Sequence, residues 1–295
     1  CDTLYITQNS AYVYSGDLTL STTTDVETIR DAGYTKINGN LHIKVSTLQH
    51  SGNLIEEVTG NVIIDNKDLV NLDGLYSLKT IGGNLEFHNY DGSTMEGLNN
   101  LVNIKGDFKP INLETKNQLT SFEGLTNLAN IEGSFIIEGI NSQTQFLKNF
   151  KGLDKLSSIG KDFILKGIGY QSFQRLESFE GLSNLSRIGG TFKIDGFDYS
   201  DSFKSLTSFK GLEKLSTING DLYIRADGPN ADTKDEVGSF GALSSFEGLN
   251  NLTEIKGNFH IQGLGYNSFN SLSSFEGLEN LTQIDSSLII KSTFN

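Results

Sequence analysis

The chain has 295 residues, of which 36% are hydrophobic, and it carries 23 Lys and Arg against 36 Asp and Glu, a formal net charge of -13. Binding to the phosphate backbone of nucleic acids requires a concentrated positive surface, so this charge disfavours a nucleic-acid partner. No run of about 18 apolar residues occurs, so we predict contact with a membrane only through a covalent lipid and not through a spanning helix.

The only cysteine of the chain is Cys1. A single cysteine excludes an intrachain disulfide, so packing and hydrogen bonds have to hold the fold together. A cysteine at the first position is also typical of a bacterial lipoprotein after removal of its signal peptide. We therefore predict that Cys1 is lipidated and anchors the protein to the bacterial outer membrane at the cell surface; the other interpretation is a free thiol at an arbitrary start. Residues 1–13 form the predicted tether and N-terminal cap, and residues 14–295 a single repeat domain.

From Tyr14 onward, the sequence repeats one unit with varying length. Alignment on a repeated isoleucine, once a valine, gives unit lengths of 21 to 37 residues and, counting the unit that begins near Tyr14, eleven units: Ile37, Val58, Ile81, Ile104, Ile131, Ile159, Ile188, Ile218, Ile255 and Ile284. Repetition over nearly the whole chain is the signature of a solenoid, in which each unit buries its apolar face only against its neighbours.

Each full unit contains two modules. The first, I-x-G-x-[LF]-x-[IL], as in "INGNLHI" and "IKGNFHI", alternates apolar and mixed residues and predicts one β-strand per unit. The second, L-x-[SN]-F-x-G-L-x-x-L-x-x-I, as in "LTSFEGLTNLANI", has apolar residues three positions apart, which favours a short 3₁₀ or helical turn. Its phenylalanines are expected to align as one ladder in the core: Phe122, Phe150, Phe179, Phe209, Phe246 and Phe275.

These modules resemble the receptor L domain, the leucine-rich ligand-binding domain of insulin- and epidermal-growth-factor-type receptors. The pattern is clearest in residues 69–87, "LVNLDGLYSLKTIGGNLEF", and 272–290, "LSSFEGLENLTQIDSSLII". Together with Cys1, they make the chain similar to leucine-rich-repeat surface lipoproteins of the Bacteroidetes type. The resemblance implies a mainly β fold, a right-handed parallel β-helix or solenoid of about eleven rungs. Because the chain lacks the disulfides of the animal receptors and has more units, no ligand-binding residue is carried over from them.

A catalytic function is the weaker alternative. β-Helices include pectin- and alginate-degrading enzymes, which need clustered carboxylates or basic residues on one outer face. The column after the repeat glycine is instead small and polar, without aspartates on adjacent units, and we interpret it as a hydrogen-bonding column: Asn40, Asn61, Asn84, Asp107, Ser134, Asp162, Thr191, Asp221, Asn258 and Ser287. The four histidines show no metal-ligand spacing, and no GxSxG or P-loop motif occurs. We therefore predict no catalytic residue, no cofactor and no metal site.

Candidates for ligand contact lie on the outer face of the predicted strands and in the loops that follow them. In the outward column, Ile136 and Ile164 form an apolar pair that is either a binding surface or covered by a loop, and we favour cover by a loop. The same column contains Tyr223, His260 and a Glu86–Lys109 pair on neighbouring units. Three loops place a tyrosine three residues after a glycine: Tyr170, Tyr199 and Tyr266.

The tyrosines of these loops allow two interpretations. Aromatic side chains aligned on a repetitive surface can contact a protein or stack on sugars. The competing interpretation, which we favour, assigns them to a hydrophobic layer beneath the loops, with Phe173, Phe203 and Phe269 inside.

We predict a monomeric cell-surface binding or adhesion protein that presents its solenoid face to a protein or glycan ligand. The expected contact surface comprises the outward strand columns and the tyrosine loops between residues 130 and 270. The alternatives are a polysaccharide-degrading β-helix enzyme and a structural spacer that binds no ligand.

Overall fold

Two parallel β-sheets of eleven strands each run along the part of the protein that the structure describes. Each turn of the chain contributes one strand to each sheet, and we call these turns rungs 1 to 11. The structure is a computed structural model that describes the following residues: 12–48, 54–69, 71–111, 119–140, 144, 146–168, 172–197, 202–226, 239–263 and 268–292.

The first sheet, sheet A, consists of short strands that contain the repeated isoleucine or valine. In order, its strands are β1 (Val13–Ser15), β3 (Lys36–Asn38), β5 (Glu57–Val58), β7 (Thr80–Ile81), β9 (Asn103–Ile104), β11 (Asn130–Ile131), β13 (Ser158–Ile159), β15 (Arg187–Ile188), β17 (Thr217–Ile218), β19 (Glu254–Ile255) and β21 (Gln283–Ile284).

The second sheet, sheet B, consists of the longer strands that follow the repeat glycine. Its strands are β2 (Leu18–Leu20), β4 (Leu41–Ile43), β6 (Val62–Asp65), β8 (Leu85–Asn89), β10 (Phe108–Ile111), β12 (Phe135–Ile140), β14 (Phe163–Ile168), β16 (Phe192–Phe197), β18 (Leu222–Ala226), β20 (Phe259–Gly263) and β22 (Leu288–Ser292).

The predicted parallel β-solenoid of eleven rungs is confirmed by this topology. The prediction of a single strand per unit is wrong, because the repeated isoleucine lies in a strand of its own in sheet A. Most strands of sheet A have two residues, which is too short for an alternation of apolar and polar residues to reveal them. A 3₁₀ turn of the predicted kind occurs at Asp73–Leu75.

One α-helix interrupts the repeat pattern in rung 1. Helix α1 (Thr23–Asp31) begins with a capping box between Thr22 and Asp25, and it buries Val26 and Ile29 while contacting β2. The capping box satisfies backbone groups at the start of the helix, and the two apolar residues lie on one of its faces. No helix among the described residues combines the length and the hydropathy that crossing a bilayer requires.

Stacked aromatic side chains form much of the core. The predicted phenylalanine ladder is confirmed, since neighbouring rings from Phe122 to Phe275 stack with centroids 5.5 to 5.7 Å apart. Phe275 lies on the last described rung and is 48% exposed. A second ladder comes from the first residue of several strands of sheet B and stacks at 5.0 to 5.2 Å: Phe108, Phe135, Phe163 and Phe192. The two ladders meet edge to face, which is a favourable arrangement of aromatic rings.

The loops after sheet B return to the core through a third phenylalanine column. Its rings stack at 4.6 to 5.2 Å, and all four residues have a left-handed backbone with φ between 52° and 57°: Phe173, Phe203, Phe240 and Phe269. Such a backbone is costly for a phenylalanine, so burial of the ring has to offset the strain. Phe173, Phe203 and Phe269 lie inside, as the sequence predicts, and Phe240 is buried with them.

The small polar residues after the repeat glycine form the predicted hydrogen-bonding column. A side-chain oxygen of one rung accepts the backbone N–H of the equivalent residue on the next: Asn40 from Asn61 at 2.7 Å, and Asn61 from Asn84 at 2.8 Å. A glycine stands beside this column on most rungs because adjacent rungs touch there, whereas Lys161 and Ser286 take its place on two rungs. A Cβ at Gly39 would collide with the carbonyl oxygen of Gly16 on the previous rung. The strands of sheet B pair with register shifts between β6 and β8 and between β10 and β12, and from β12 to β20 their outward side chains align in straight columns.

Gly181→Ala should destabilise the protein more than Gly33→Ala. Both glycines have a left-handed backbone, with φ of 104° and 68°. A Cβ at Gly181 would collide with the backbone of Phe150, whereas nothing lies within 4 Å of a Cβ at Gly33. We expect a loss of about 1–2 kcal/mol for Gly33→Ala from backbone strain alone. Gly181→Ala should cost a further 1–3 kcal/mol, roughly, from overpacking. Urea unfolding measures both losses, and equal losses would contradict the close contact between rungs.

Candidate ligand-binding face

The outward side chains of sheet B form two straight columns on rungs 6 to 10. Strand pairing aligns the first column in the order Ile136, Ile164, Lys193, Tyr223 and His260. The same pairing aligns a second column two residues further along each strand: Glu138, Lys166, Asp195, Arg225 and Gln262. Paired strands lie about 4.8 Å apart, so side chains within a column can touch. We call these ten residues the sheet-B face.

The structure brings together four of the residues predicted for ligand contact. Ile136, Ile164, Tyr223 and His260 share one column of the sheet-B face because each follows the buried first residue of its strand. Ile136 and Ile164 are half-buried. The other predicted contact residues and the predicted lipidation site lie outside the described residues: Tyr170, Tyr199, Tyr266 and Cys1.

A buried carboxylate held by two cations occupies the centre of the sheet-B face. Arg225 donates from Nε and Nη2 to the two oxygens of Asp195 at 2.6 and 2.9 Å, and Lys193 Nζ lies 2.9 Å from Asp195 Oδ2. The side chain of Asp195 is fully buried, whereas those of Lys193 and Arg225 are 32% and 20% exposed. Two cations therefore bind this carboxylate, and both of their side chains are more exposed than that of Asp195. We call these three residues the Asp195 triad.

Tyr223 stands between its two neighbours in the column. Lys193 Nζ lies 5.1 Å from the centroid of the tyrosine ring, and the His260 ring packs perpendicular to it at 4.8 Å. Both contacts are favourable, the first between a cation and a π-system and the second between aromatic rings. Lys193 and His260 belong to the rungs on opposite sides of Tyr223. The Tyr223 ring is therefore in contact with a side chain of each neighbouring rung.

Sequence reasoning missed the pairing of Asp195 with Arg225. The signal was available, since the two residues occupy the same repeat position in "KIDGF" and "YIRAD", 30 residues apart. The burial of Asp195 does not follow from that alignment, because Lys166 and Arg225 occupy the same repeat position and remain partly exposed.

A second polar cluster lies on the same outer surface at rungs 4 and 5, outside the sheet-B face. Lys109 Nζ is 3.2 Å from Glu86 and 3.6 Å from Asp107. The predicted Glu86–Lys109 pair is therefore confirmed. In this cluster one cation lies between two carboxylates, which is the reverse of the charge balance in the Asp195 triad. No group of three or more His, Cys, Asp or Glu residues that could hold a metal ion occurs in the described ranges.

Hydrogen bonds lower the pKa of two carboxyl groups on rungs 3 and 4. For Asp65, the main cause is a hydrogen bond from Asn89, with a smaller contribution from His42, and burial opposes both. For Glu86, burial raises the pKa, but hydrogen bonds from three neighbours outweigh it: His88, Asn84 and Lys109. Both groups therefore stay ionised at a lower pH than their usual pKa values of 3.8 and 4.5 imply.

The comparisons with known proteins give one match. Residues 34–100 match the family model of the receptor L domain. This stretch contains rungs 2 to 4, and its last strand, β8, pairs in register with β10 of the next rung. No curated protein and no solved structure matches the chain. The resemblance to the receptor L domain is therefore confirmed for residues 34–100, and it implies ligand binding in general.

Arg225→Ala should destabilise the fold more than Lys193→Ala. Removal of Arg225 leaves the buried Asp195 carboxylate with Lys193 as its remaining cation, which we expect to cost about 3 kcal/mol. Lys193 is one-third exposed, and Arg225 still binds the carboxylate in its absence, so Lys193→Ala should cost less than about 1 kcal/mol. Urea unfolding at pH 7 measures both. Small and equal losses would show that Asp195 does not depend on Arg225.

Acidification should weaken the wild type more than the Asp65→Asn/Glu86→Gln variant. A carboxyl group whose pKa is lower in the folded state stabilises the fold above its unfolded pKa, and this contribution is lost as the pH falls through its folded pKa. For Asp65 and Glu86 the loss should begin as the pH falls below about 4.5. Urea midpoints measured between neutral and acidic pH should therefore change less in the variant. Parallel pH profiles would contradict the proposed role of these hydrogen bonds.

Proposed function

We propose that this protein is a cell-surface binding or adhesion protein whose protein or glycan ligand docks on the sheet-B face. The observation that supports this most is the contrast between the two sides of the same strands. On the inner side, rungs 7 to 9 carry Phe163, Phe192 and Leu222, which all pack in the core. On the outer side, the next residues change from isoleucine to lysine to tyrosine. Because the rungs are structurally equivalent, the fold does not require this variation, and ligand recognition accounts for it.

The chemistry of the sheet-B face suits recognition. Tyrosine and arginine are enriched among residues that dominate binding energy, and the face places Tyr223 and Arg225 two residues apart on one strand. The half-buried Ile136 and Ile164 add apolar surface at one end of the same column. Salt bridges and ring contacts already hold Lys193, Tyr223 and Arg225 in place, so little side-chain freedom remains to be lost on binding.

We further propose that the protein acts as a monomer on the bacterial cell surface, attached to the outer membrane by a lipid on Cys1. The receptor L domain match supports a ligand-binding surface protein. The lipid anchor and the contact role of the tyrosine loops remain predictions from the sequence. The codons that precede Cys1 in the gene test the anchor, since the proposal requires a lipoprotein signal peptide there.

Binding without catalysis is part of the proposal. Glycoside hydrolases use two carboxyl groups on opposite sides of the scissile bond, one of which acts as an acid. On the described outer surface of sheet B, Asp195 and Glu86 are instead paired with lysine or arginine side chains. Because they are paired with cations, these carboxylates are better suited to hold other charged groups in place than to donate a proton. Release of reducing ends from pectin or alginate on incubation with the protein would contradict this part of the proposal.

Threonine substitutions on the sheet-B face should weaken ligand capture without unfolding the protein. The test variant is Ile164→Thr/Lys193→Thr/Tyr223→Thr, in which the β-branched residue preserves the strands. We expect at least tenfold weaker binding, or about 1.4 kcal/mol, to the ligands that the wild type captures on arrays of glycans and extracellular proteins.

The matched control changes outward residues of sheet A on the same three rungs: Ser158→Thr/Arg187→Thr/Thr217→Ser. Both variants should melt cooperatively, and the control should bind like the wild type. If the control lost binding while the sheet-B variant retained it, the ligand would bind sheet A and the proposed site would be wrong. A wild-type protein that captures nothing from either array would refute the binding function itself.

A further inference from the structure

We propose that the edge of the solenoid at rungs 4 and 5 carries a separate binding site for a neutral sugar. Tyr76 stacks on the sugar ring, and Glu96 and Asn99 form hydrogen bonds with its hydroxyl groups. The site lies in the turns that lead into sheet A, outside the sheet-B face. It is therefore independent of the site proposed above.

An open depression lies between the turn that precedes β7 and the turn that precedes β9. It has a volume of about 460 Å³ and is lined by Asp73, Tyr76, Glu96, Gly97 and Asn99. We call it the Tyr76 depression. Two hydrogen bonds join its turns: the Leu72 N–H donates to the Glu96 carbonyl at 3.0 Å, and Asn100 Nδ2 donates to the Tyr76 carbonyl at 2.8 Å. The two sides of the depression are thus fixed relative to each other.

Tyr76 differs from the residues at its repeat position. The equivalent residues on later rungs are polar: Asn99, Thr126, Asp154, Ser183, Glu213, Asn250 and Glu279. Tyr76 is 48% exposed, and among the described residues between Tyr12 and Phe275 no other tyrosine or phenylalanine is exposed. An exposed ring adds little to the core, whereas its face suits the C–H groups of a sugar ring.

A 3₁₀ turn holds the backbone of Tyr76 in place. The Leu75 N–H donates to the Leu72 carbonyl at 2.7 Å, and the Tyr76 N–H donates to the Asp73 carbonyl at 3.2 Å. Leu75 is buried, which anchors the turn in the core. A ring on such a fixed turn loses little freedom when a ligand binds.

The other side of the Tyr76 depression supplies one acceptor and one donor. The Glu96 side chain is exposed and forms no hydrogen bond or ion pair with the described part of the chain. Asn99 Oδ1 accepts the N–H of Gly97 at 3.2 Å, while Asn99 Nδ2 has no acceptor among the described residues. A sugar hydroxyl both donates and accepts hydrogen bonds, so neighbouring hydroxyls can use both groups.

The charge of the lining favours a neutral ligand over a charged one. The charged side chains of the lining are the carboxylates of Asp73 and Glu96, which repel an acidic glycan. A basic side chain would be attracted by the carboxylates and by the tyrosine ring, but it offers no acceptor to Asn99 Nδ2. A neutral sugar uses the ring, the acceptor and the donor together.

A similar depression at rungs 7 to 9 shows that shape alone does not define the site. Its volume is about 410 Å³, and no aromatic residue lines it. There, the carboxylates of Asp154 and Glu213 already accept the N–H groups of Gly152 and Gly211. The exposed ring and the unused hydrogen-bonding groups therefore distinguish the Tyr76 depression.

Titration of the full chain with neutral trisaccharides, followed by saturation-transfer NMR, tests this inference. The probes are maltotriose, cellotriose and mannotriose, and we expect at least one of them to bind. Tyr76→Thr should weaken this binding at least tenfold, whereas Tyr76→Phe keeps the ring and should change it less than twofold. Thr126 occupies the equivalent position on another rung, so the threonine variant should fold, and its thermal midpoint checks this.

Asn99→Asp tests the hydrogen bond separately from the ring. Asp154, at the same repeat position, accepts the glycine N–H of its own turn, so an aspartate preserves the turn and removes the Nδ2 donor. We expect at least threefold weaker binding. The matched control is Val102→Thr: Val102 is 37% exposed and lies outside the depression, and Thr253 occupies its repeat position. Binding should change less than twofold in this control.

Binding of none of the trisaccharides would overturn the inference, and so would equal binding by Tyr76→Thr and Val102→Thr. Acetyl-lysine-amide and acetyl-arginine-amide form a second arm. If they bound through Tyr76 in place of the sugars, the depression would be a site for basic side chains and the inference would be wrong. If the threonine variant of the sheet-B face lost the trisaccharide while Tyr76→Thr retained it, the inference would fail and the function proposed above would stand.

Discussion

Contact between the backbones of neighbouring rungs is the constraint on which the rest of this structure depends. At the position of the repeat glycine, backbone N–H groups donate to the carbonyl of the equivalent residue on the previous rung, as Gly60 does to Gly39 and Gly83 to Gly60, both at 2.9 Å. A side chain at these glycines would push the rungs apart. Because the strands of neighbouring rungs pair through their backbones, units of 21 to 37 residues can differ in their loops while each still contributes one strand to each sheet.

Fixed register turns the choice of one residue per unit into a column of interacting side chains. Inside the solenoid, repeated phenylalanines stack on the equivalent phenylalanines of the neighbouring rungs. Outside, the same geometry brings together unlike residues, as with Asp195 and Arg225 or Lys193 and Tyr223. A site on such a surface needs no deep cleft, because neighbouring rungs supply the adjacent groups that a cleft would otherwise assemble.

The repeat period allowed much of this arrangement to be predicted from the sequence. Register alone predicts three features: the ladder from Phe122 to Phe275, the hydrogen-bonding column and the alignment of Ile136 with Ile164. The strands of sheet A could not be predicted in this way, because a strand of two residues is too short to show an alternation of apolar and polar residues. Helix α1 was not predicted either, although Thr22 and Asp25 form a recognisable capping box. The burial of Asp195 could not be predicted either, because the equivalent residues Lys166 and Arg225 on the neighbouring rungs are partly exposed.

The Asp195 triad shows that local charge on this fold follows from register more than from composition. At physiological ionic strength the Debye length is about 8 Å, so the charge of distant parts of the chain is largely screened at the sheet-B face. Lys193 and Asp195 lie on β16 and Arg225 on β18, and the pairing of these two strands places the carboxylate within reach of both cations. The rung spacing therefore sets which charges meet on this surface, and the net charge of -13 does not predict it.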